Sequence, residues 1–367
     1  MSLLIQAPAA VRWLARGAVV LSVLCAIGLF WLYHHGPART GWVELLRYLP
    51  FLAYVVPAGL ALGLSFVLGG GWRVAAALAL TLMLTSVMDV SLGRGRTEVA
   101  ADAPGTRTVR FMTYNIKSYR AAFRRGGFRA LNDEIAQHQP DILVMQDARE
   151  VSRRGDLPYG MRDVLPKHQL YAHGQYAIAS RFPLSGCAPA DMSLKDEPHE
   201  YIRCTVNIDG TLIDLVTAHL LTPREGLNAT REDRLGGLDD WQNNFADRLS
   251  QAERIAATLT PLKRPTIVAG DLNAPEHSVV VRTLLDTGLR NAFSSAGRGW
   301  GFTHGHSLKP GVSFLRIDHI LVSPEIGLRS AWVGWRGGSE HRPVIAELVV
   351  PVTAAATVTT EKQGAAK

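Results

Sequence analysis

The sequence predicts an α/β (α+β) domain, a layered sandwich, joined to a helical membrane region. Three observations carry this reading. Residues 1–98 contain long uncharged runs and only three acids, Glu44, Asp89 and Glu98. From residue 99 the chain turns mixed and charged, with strand-like and helix-like patterns interleaved. Consecutive hairpins, together with helices that interrupt strands, call for two sheets packed face to face with helices outside.

The membrane region comes first. Residues 17–33, GAVVLSVLCAIGLFWLY, carry no charge; residues 48–72 form a second such run, broken only by Pro50 and Pro57; residues 74–93 form a third, with Asp89 near its end. A helix needs about 20 apolar residues to cross a bilayer. Residues 1–98 are therefore expected to hold three transmembrane helices at about 15–34, 48–70 and 73–93. Trp31, Tyr33, Trp42, Tyr48 and Trp72 sit near the expected span ends, as interfacial aromatics do. Three spans put the amino terminus and the carboxyl domain on opposite sides. Arg12 and Arg16 precede the first span and orient the carboxyl domain outside the cell (inner) membrane, although the full count is indecisive, with Arg12, Arg16 and Arg73 on one side and Arg39, Arg47, Arg94 and Arg96 on the other. Residues 99–108 read as a linker, 109–350 as one domain, and 351–367 as a flexible tail. The net charge of +7 favours anionic partners, but no Lys/Arg-rich block marks a nucleic-acid arm. Three cysteines are too few for a disulfide framework and lack zinc spacing. Cys187 and Cys204 can pair if their strands are neighbours and the compartment is oxidising; otherwise they are separate thiols.

In the soluble part, 109–116 alternates as a strand, and Phe128, Leu131 and Ile135 set a helix over 127–138 that Pro140 stops. Strands are expected at 141–148, 176–182, 201–208 and 211–220, with Asp209-Gly210 as a hairpin turn between the last two. A long loop over 222–247, a helix at 246–260, a strand at 266–272 and a helix near 277–287 follow. Strands near 316–323, 328–335 and 343–350 complete the domain.

The ends of these strands are not what a core requires. They present Asn115, then Gln146 and Asp147, His219, Asp271 and Asn273, Asp318 and His319, and finally Glu340 and His341 before the last strand. One polar tip is ordinary; agreement across six elements is itself informative. Carboxylates and carboxamides with few imidazoles and no thiolates suit a hard cation, Mg²⁺ or Mn²⁺, over zinc. The His304-Gly305-His306 stretch lacks partner spacing and reads as loop. Such a set suits phosphate ester hydrolysis: the cation and amides hold phosphoryl oxygens, and a carboxylate orients and deprotonates water. Neither a Gly-x-Ser-x-Gly elbow nor a Walker loop is present.

The motifs TYNI, DILVMQD, AIASRFPL, TAHL, AGDLNAP, RIDHILVS and SEHRPV occur in this order. Over about residues 108–350 they resemble the endonuclease/exonuclease/phosphatase superfamily, of deoxyribonuclease-I-like fold. The resemblance implies a four-layer α/β/β/α sandwich of two packed, mainly antiparallel sheets. It implies metal binding by Asn115, Asp147 and Glu340, and catalysis by His219, Asp271, Asn273, Asp318 and His341, with Asp318 hydrogen-bonded to His341. His319 is expected to face away as a structural residue. Two positions depart from the family pattern. Asp147 stands where Glu is usual and Glu340 where Asp is usual, so the metal is expected to shift towards Glu340.

Membrane-anchored members of the family act on phosphorylated, lipid-linked substrates, and the expected spans resemble theirs. The resulting expectation is a membrane-anchored, metal-dependent phosphoesterase using Mg²⁺ or Mn²⁺ on a phosphorylated substrate. An anchored endonuclease acting on nucleic acid, or an inactive receptor or scaffold on the same fold, are the alternatives. Arg224 and Arg231, with Arg234, are placed in the long loop as substrate-binding candidates.

Overall fold

The computed structural model describes residues 7–35, 40–97, 103–121, 123–194, 197–233, 236–305 and 312–352. One sheet is built from β1 (Thr106–Asn115), β2 (Ile142–Gln146), β3 (Gln169–His173), β4 (Tyr176–Ser180), β11 (Gly327–Val333) and β12 (Val344–Pro351), in the order β11-β12-β1-β2-β4-β3. The other holds β5 (Leu184–Asp191), β6 (Glu200–Ile208), β7 (Thr211–His219), β8 (Thr266–Asp271), β9 (Arg290–Asn291) and β10 (Asp318–Val322), in the order β5-β6-β7-β8-β10-β9. Only the β1–β2 and β7–β8 pairs are parallel, so the sheets are mainly antiparallel as expected.

Strand alternation assigns each face. Val109 and Phe111 of β1, Ile142 and Val144 of β2, Ile213 and Leu215 of β7, Ile267 and Ala269 of β8, and Ile320 and Val322 of β10 meet between the sheets. Met112, Tyr114, Leu143 and Met145 point the other way, under Leu131 and Ile135 of the helix Gly127–His138. Val216 and Val268 likewise pack under Phe245, Leu249 and Ile255 of the helix Gly237–Leu259. The result is the four-layer α/β/β/α sandwich.

The Asp209-Gly210 turn has positive φ at both residues, 46° and 93°, as a primed hairpin turn needs. Residues 222–247 are not a long loop. A helix spans Arg224–Glu232, and the next starts at Gly237, well before residue 246. Asp239 and Asp240 sit in its first turn, where they oppose the helix dipole, and Trp241, Phe245 and Leu249 line its buried face. The edge strand β5 escapes the period-two reading because Gly186, Pro189 and small residues replace alternating branched ones.

Cys187 on β5 and Cys204 on the neighbouring β6 form a disulfide, meeting the adjacency condition set above. It closes a loop with a sequence separation of 17 residues. Reduction is expected to cost about 3 kcal/mol and lower the Tm of the domain by roughly 6–12 °C. Calorimetry with and without dithiothreitol checks this, and a Cys187→Ser/Cys204→Ser protein should reproduce the reduced value; an unchanged Tm would refute it.

The amino-terminal helices are α1 (Ala9–His35), α2 (Gly41–Arg47), α3 (Leu52–Ser65) and α4 (Gly70–Leu82), the last continuing as a π turn through Val87. By length and composition α1 and the stretch Gly70–Val87 can each cross a membrane. The expected span at 48–70 is not one helix. Within it α3 covers only Leu52–Ser65, starting after Pro50; α2 ends before it at Arg47, and the two helices meet at 71°. Proline lacks the N–H and disfavours helix in the residue before it. The 14 residues of α3 reach about 21 Å, against the roughly 30 Å of a hydrocarbon core. The region therefore offers two spans, or three if the bent pair serves as one. Trp13, Leu14, Leu24, Leu60 and Leu78 point outward, while Tyr33, Tyr54 and Ala58 pack between the helices. Before the expected linker, Ser91 bridges to Gly299 and Thr97 accepts a hydrogen bond from Leu328 N at 2.8 Å. The strand β1 begins at Thr106, inside the expected linker, and the expected tail beyond Val352 lies outside the described residues.

Candidate active site

The inward rows of the central strands run from apolar to polar with no change of face. In β1 the row Val109, Phe111, Thr113 ends at Asn115; in β7 the row Ile213, Leu215, Thr217 ends at His219. In β8 it ends at Asp271, and β10 places Asp318 directly opposite Asp271 across the ladder. Side chains two residues apart share a face, so the polar tips continue the intersheet core to one rim.

Asp271 is the centre of the cluster. Its Oδ2 accepts from Asn115 Nδ2 at 2.9 Å and lies 3.5 Å from His219 Nε2 and 3.6 Å from His341 Nε2. Its Oδ1 accepts from Asn273 N at 3.0 Å. Asn273 adopts φ 49°, and its Nδ2 donates to Leu220 O at 2.8 Å. Burial raises the pKa of Asp271, and the neighbouring Asp318 carboxylate adds to the rise.

His341 donates from Nδ1 to Asp318 Oδ2 at 2.9 Å, the pairing the family resemblance implies. This bond aims Nε2 at Asp271. Burial pushes Asp318 up to about 7 and His341 down to about 4, so neither charge is favoured in isolation. The ring of His304 stacks on His341 with centroids 4.3 Å apart and planes at 16°. His304 had read as plain loop; only its fold partner across residues 304–341 reveals it. Ser339 donates to Asn115 O at 2.6 Å and ties the last loop to β1.

His219 donates from Nδ1 to Gln175 Oε1 at 2.8 Å. Gln175 was missed because it lies in the turn between β3 and β4, where no periodicity marks it. Gln146 donates to Thr217 at 3.0 Å and to Thr113 at 3.2 Å, clasping the two sheets under the site. Asp147, at φ 51° and 15% side-chain exposure, approaches His219 Nδ1 at 3.9 Å and is the site carboxylate least engaged by its neighbours.

Glu340, expected to bind the metal, is ringed by cations. Lys117 Nζ lies 3.5 Å away, Arg120 Nη1 2.6 Å and Arg124 Nη2 3.8 Å. Burial works against its ionisation, but Lys117 and Arg120 outweigh that and lower its pKa. The extra methylene of Glu over Asp supplies the reach to this basic cluster. Arg224 and Arg231 stand on the exposed face of the helix Arg224–Glu232, and Arg234 lies outside the described residues. His319 faces away, as expected: it contacts Asn291 Nδ2 and Ala274 O, both at 2.9 Å, and burial holds its pKa down to about 3.

One donor atom each from Asp271, Asp318 and His341 lie within 4.8 Å of one another. With Asp147 and Asn115 at the same rim, the donors are mostly hard oxygens, which fits Mg²⁺ or Mn²⁺. Two buried carboxylates with raised pKa are also what a divalent cation would compensate.

The sequence model of the endonuclease/exonuclease/phosphatase family matches residues 112–341. No curated protein matches the chain in sequence. Among solved structures, a family protein from Bacteroides thetaiotaomicron is 18% identical with a TM-score of 0.48, covering 67% of this chain and 98% of its own. The mannosyl-6-phosphatase of the same organism is 18% identical with a TM-score of 0.47, covering 65% and 99%. An AP endonuclease from Archaeoglobus fulgidus is 16% identical with a TM-score of 0.49, covering 66% and 98%.

Proposed function

The chain belongs to the endonuclease/exonuclease/phosphatase family, whose members are hydrolases of phosphoester bonds, and from that premise we propose a membrane-anchored, divalent-metal-dependent phosphoesterase. Its substrate in this reading is a phosphate ester or diphosphate, opened by in-line attack of water. The observation that carries the proposal is Asp271, a buried carboxylate held by Asn115 and Asn273 N and flanked by both site histidines.

Asp271 orients the attacking water and takes its proton. Asn115 and Asn273 hold Asp271 and fix its carboxylate plane. The Asp318–His341 pair places Nε2 beside the reacting phosphoryl group, where His341 donates a hydrogen bond. His219, oriented by Gln175, does the same from the other side. A bound Mg²⁺ or Mn²⁺ supplies charge neutralisation on the phosphoryl oxygens, with Asp147 and Asn115 as holders at the rim. Lys117, Arg120 and Arg124 set three cations against the single carboxylate of Glu340 and favour an anionic substrate.

Anchoring rests on α1 and Gly70–Val87 with their outward apolar side chains. The Cys187–Cys204 disulfide favours an oxidising compartment, and so an extracytoplasmic catalytic domain. A lipid-linked phosphate ester would then be presented close to the site.

The test uses the full chain in detergent, assayed for phosphate release from a lipid diphosphate and for nicking of supercoiled DNA, with Mg²⁺ and with chelator. Phosphate release that falls at least about 100-fold with chelator is expected. Nicking alone would make the protein an anchored endonuclease; neither activity would make it an inactive scaffold.

A further inference from the structure

Several side chains of the membrane region meet the segment after β8, Asp89 at His277 and Glu44 at Val279 N among them, and Tyr48 reaches the site residue Asn273. Tyr48, just after α2, is 1% exposed, and its hydroxyl donates to Asn273 O at 2.7 Å. Arg248, fully buried, donates from Nη1 to the same carbonyl at 3.1 Å and also to the Tyr48 hydroxyl. Its guanidinium lies over the rings of Tyr48 and Trp241, 5.3 and 5.2 Å from their centroids. Among the described residues Arg248 has no carboxylate partner, and its Nη2 is buried without a hydrogen bond. A buried, uncompensated guanidinium is an expensive way to stabilise a fold. Its Nε donates to Asn244 Oδ1, and its other hydrogen bonds, both from Nη1, go to the Tyr48–Asn273 junction.

Asn273 needs such a clamp. It holds φ 49°, a left-handed conformation that non-glycine residues adopt at a cost and keep only where surroundings impose it. Its N–H and carboxamide are fixed from within the domain by Asp271 and Leu220. Its carbonyl is fixed by Arg248 from the domain and by Tyr48 from the membrane side. Other bonds seat α2 without touching the site: Trp241 Nε1 donates to Gly41 O at 2.6 Å, Gly41 N to Gln242 Oε1 at 2.7 Å, and Val279 N to Glu44 Oε1 at 3.1 Å.

We propose that Tyr48 is a positioning residue for Asn273, so that the hydrolytic site is complete only when the membrane-proximal helix is docked. The inference rests on the role given to Asn273 in the hydrolase reading. Losing the hydroxyl frees one of two clamps on the carbonyl and lets the Asn273 N–H that holds Asp271 drift. Small misplacements at a reacting centre are costly, up to about 100-fold for an ångström.

The experiment compares full-length wild type, Tyr48→Phe, Gln242→Ala, Asp271→Asn and Tyr48→Phe/Asp271→Asn in detergent with Mn²⁺, hydrolysing the small soluble diester bis(p-nitrophenyl) phosphate. Tyr48→Phe keeps the ring and its packing; kcat is expected to fall about 10-fold with KM unchanged within twofold and Tm retained. Gln242→Ala removes one of three bonds that seat α2 and leaves the Trp241–Gly41 and Glu44–Val279 bonds and the Tyr48 hydroxyl in place, so α2 stays docked and kcat should stay at the wild-type value. In the Asp271→Asn background, Tyr48→Phe should have no further effect, because the carboxylate that Asn273 N holds is gone. Wild-type kcat in Tyr48→Phe, an equal loss in Gln242→Ala, or additive losses in the double variant would each overturn the inference while leaving the hydrolase standing. An inactive wild type would overturn the hydrolase reading, and this inference with it.

Discussion

Asp271→Asn is expected to lower kcat by about 10³-fold and leave the fold intact. The carboxamide has the same shape: its Oδ1 can still accept from Asn273 N, and its Nδ2 then faces Asn115, whose amide must turn its oxygen inward to accept. What it loses is the ability to take a proton and to attract the imidazoles of His219 and His341, 3.5 and 3.6 Å away. Stability should move the other way. The folded pKa of Asp271 lies above its unfolded value, because burial and Asp318 disfavour its charge. The folded state therefore holds more protons than the unfolded one between the two pKa values. Stability from this group declines as pH rises through that window and stays lower above it. Removing the charge removes the penalty, so metal-free Asp271→Asn at pH 8 should melt no lower than metal-free wild type. Steady-state kinetics and a melting curve on the same preparation check both halves. A variant with near-wild-type kcat would remove Asp271 from the centre of the reaction.

Gly270→Ala is expected to destabilise the catalytic domain by more than about 4 kcal/mol. Gly270 has φ 154°, a conformation closed to side-chain-bearing residues. A Cβ placed there would lie 1.9 Å from Ala218 O and 3.0 Å from Ala218 C. Those atoms are backbone of the paired strand, since Ala218 and Gly270 are register partners in the β7–β8 ladder. They have no rotamer to yield. The strand β8 cannot move aside either, because β10 pairs with its other edge and sets His319 against Gly270. The glycine lets β7 approach closely and brings His219 level with Asp271 in the register. Urea unfolding of full-length protein in detergent, followed by a probe of the catalytic domain, measures the loss; a change below 1 kcal/mol would refute the steric argument.

Both predictions trace to the short run Ile267-Val268-Ala269-Gly270-Asp271-Leu272-Asn273, and they divide what could be read early from what could not. Alternation along each strand was enough to put Asn115, His219, Asp271 and Asp318 on one face, and the sandwich follows from packing that face. The helix at 127–138 and the hairpin at 209–210 are local patterns and appear where local chemistry puts them. Errors arose where a pattern was interrupted or absent. The polar helix Arg224–Glu232 has too few apolar positions to announce itself, and α3 starts only after Pro50 and covers just Leu52–Ser65 of the apolar run at 48–72.

The amino-acid order by itself determined the layered fold, the apolar character of the amino-terminal helices, the family and the residue types at the rim, because periodicity and motif spacing are written along the chain. Only the tertiary structure decided which atoms meet: that Glu340 faces Lys117, Arg120 and Arg124, that Gln175 holds His219, that His304 stacks on His341, and that Tyr48 reaches Asn273. The reason is distance along the chain. Tyr48 and Asn273 are separated by 225 positions, and no local preference links them until the sheets close and bring their backbones together.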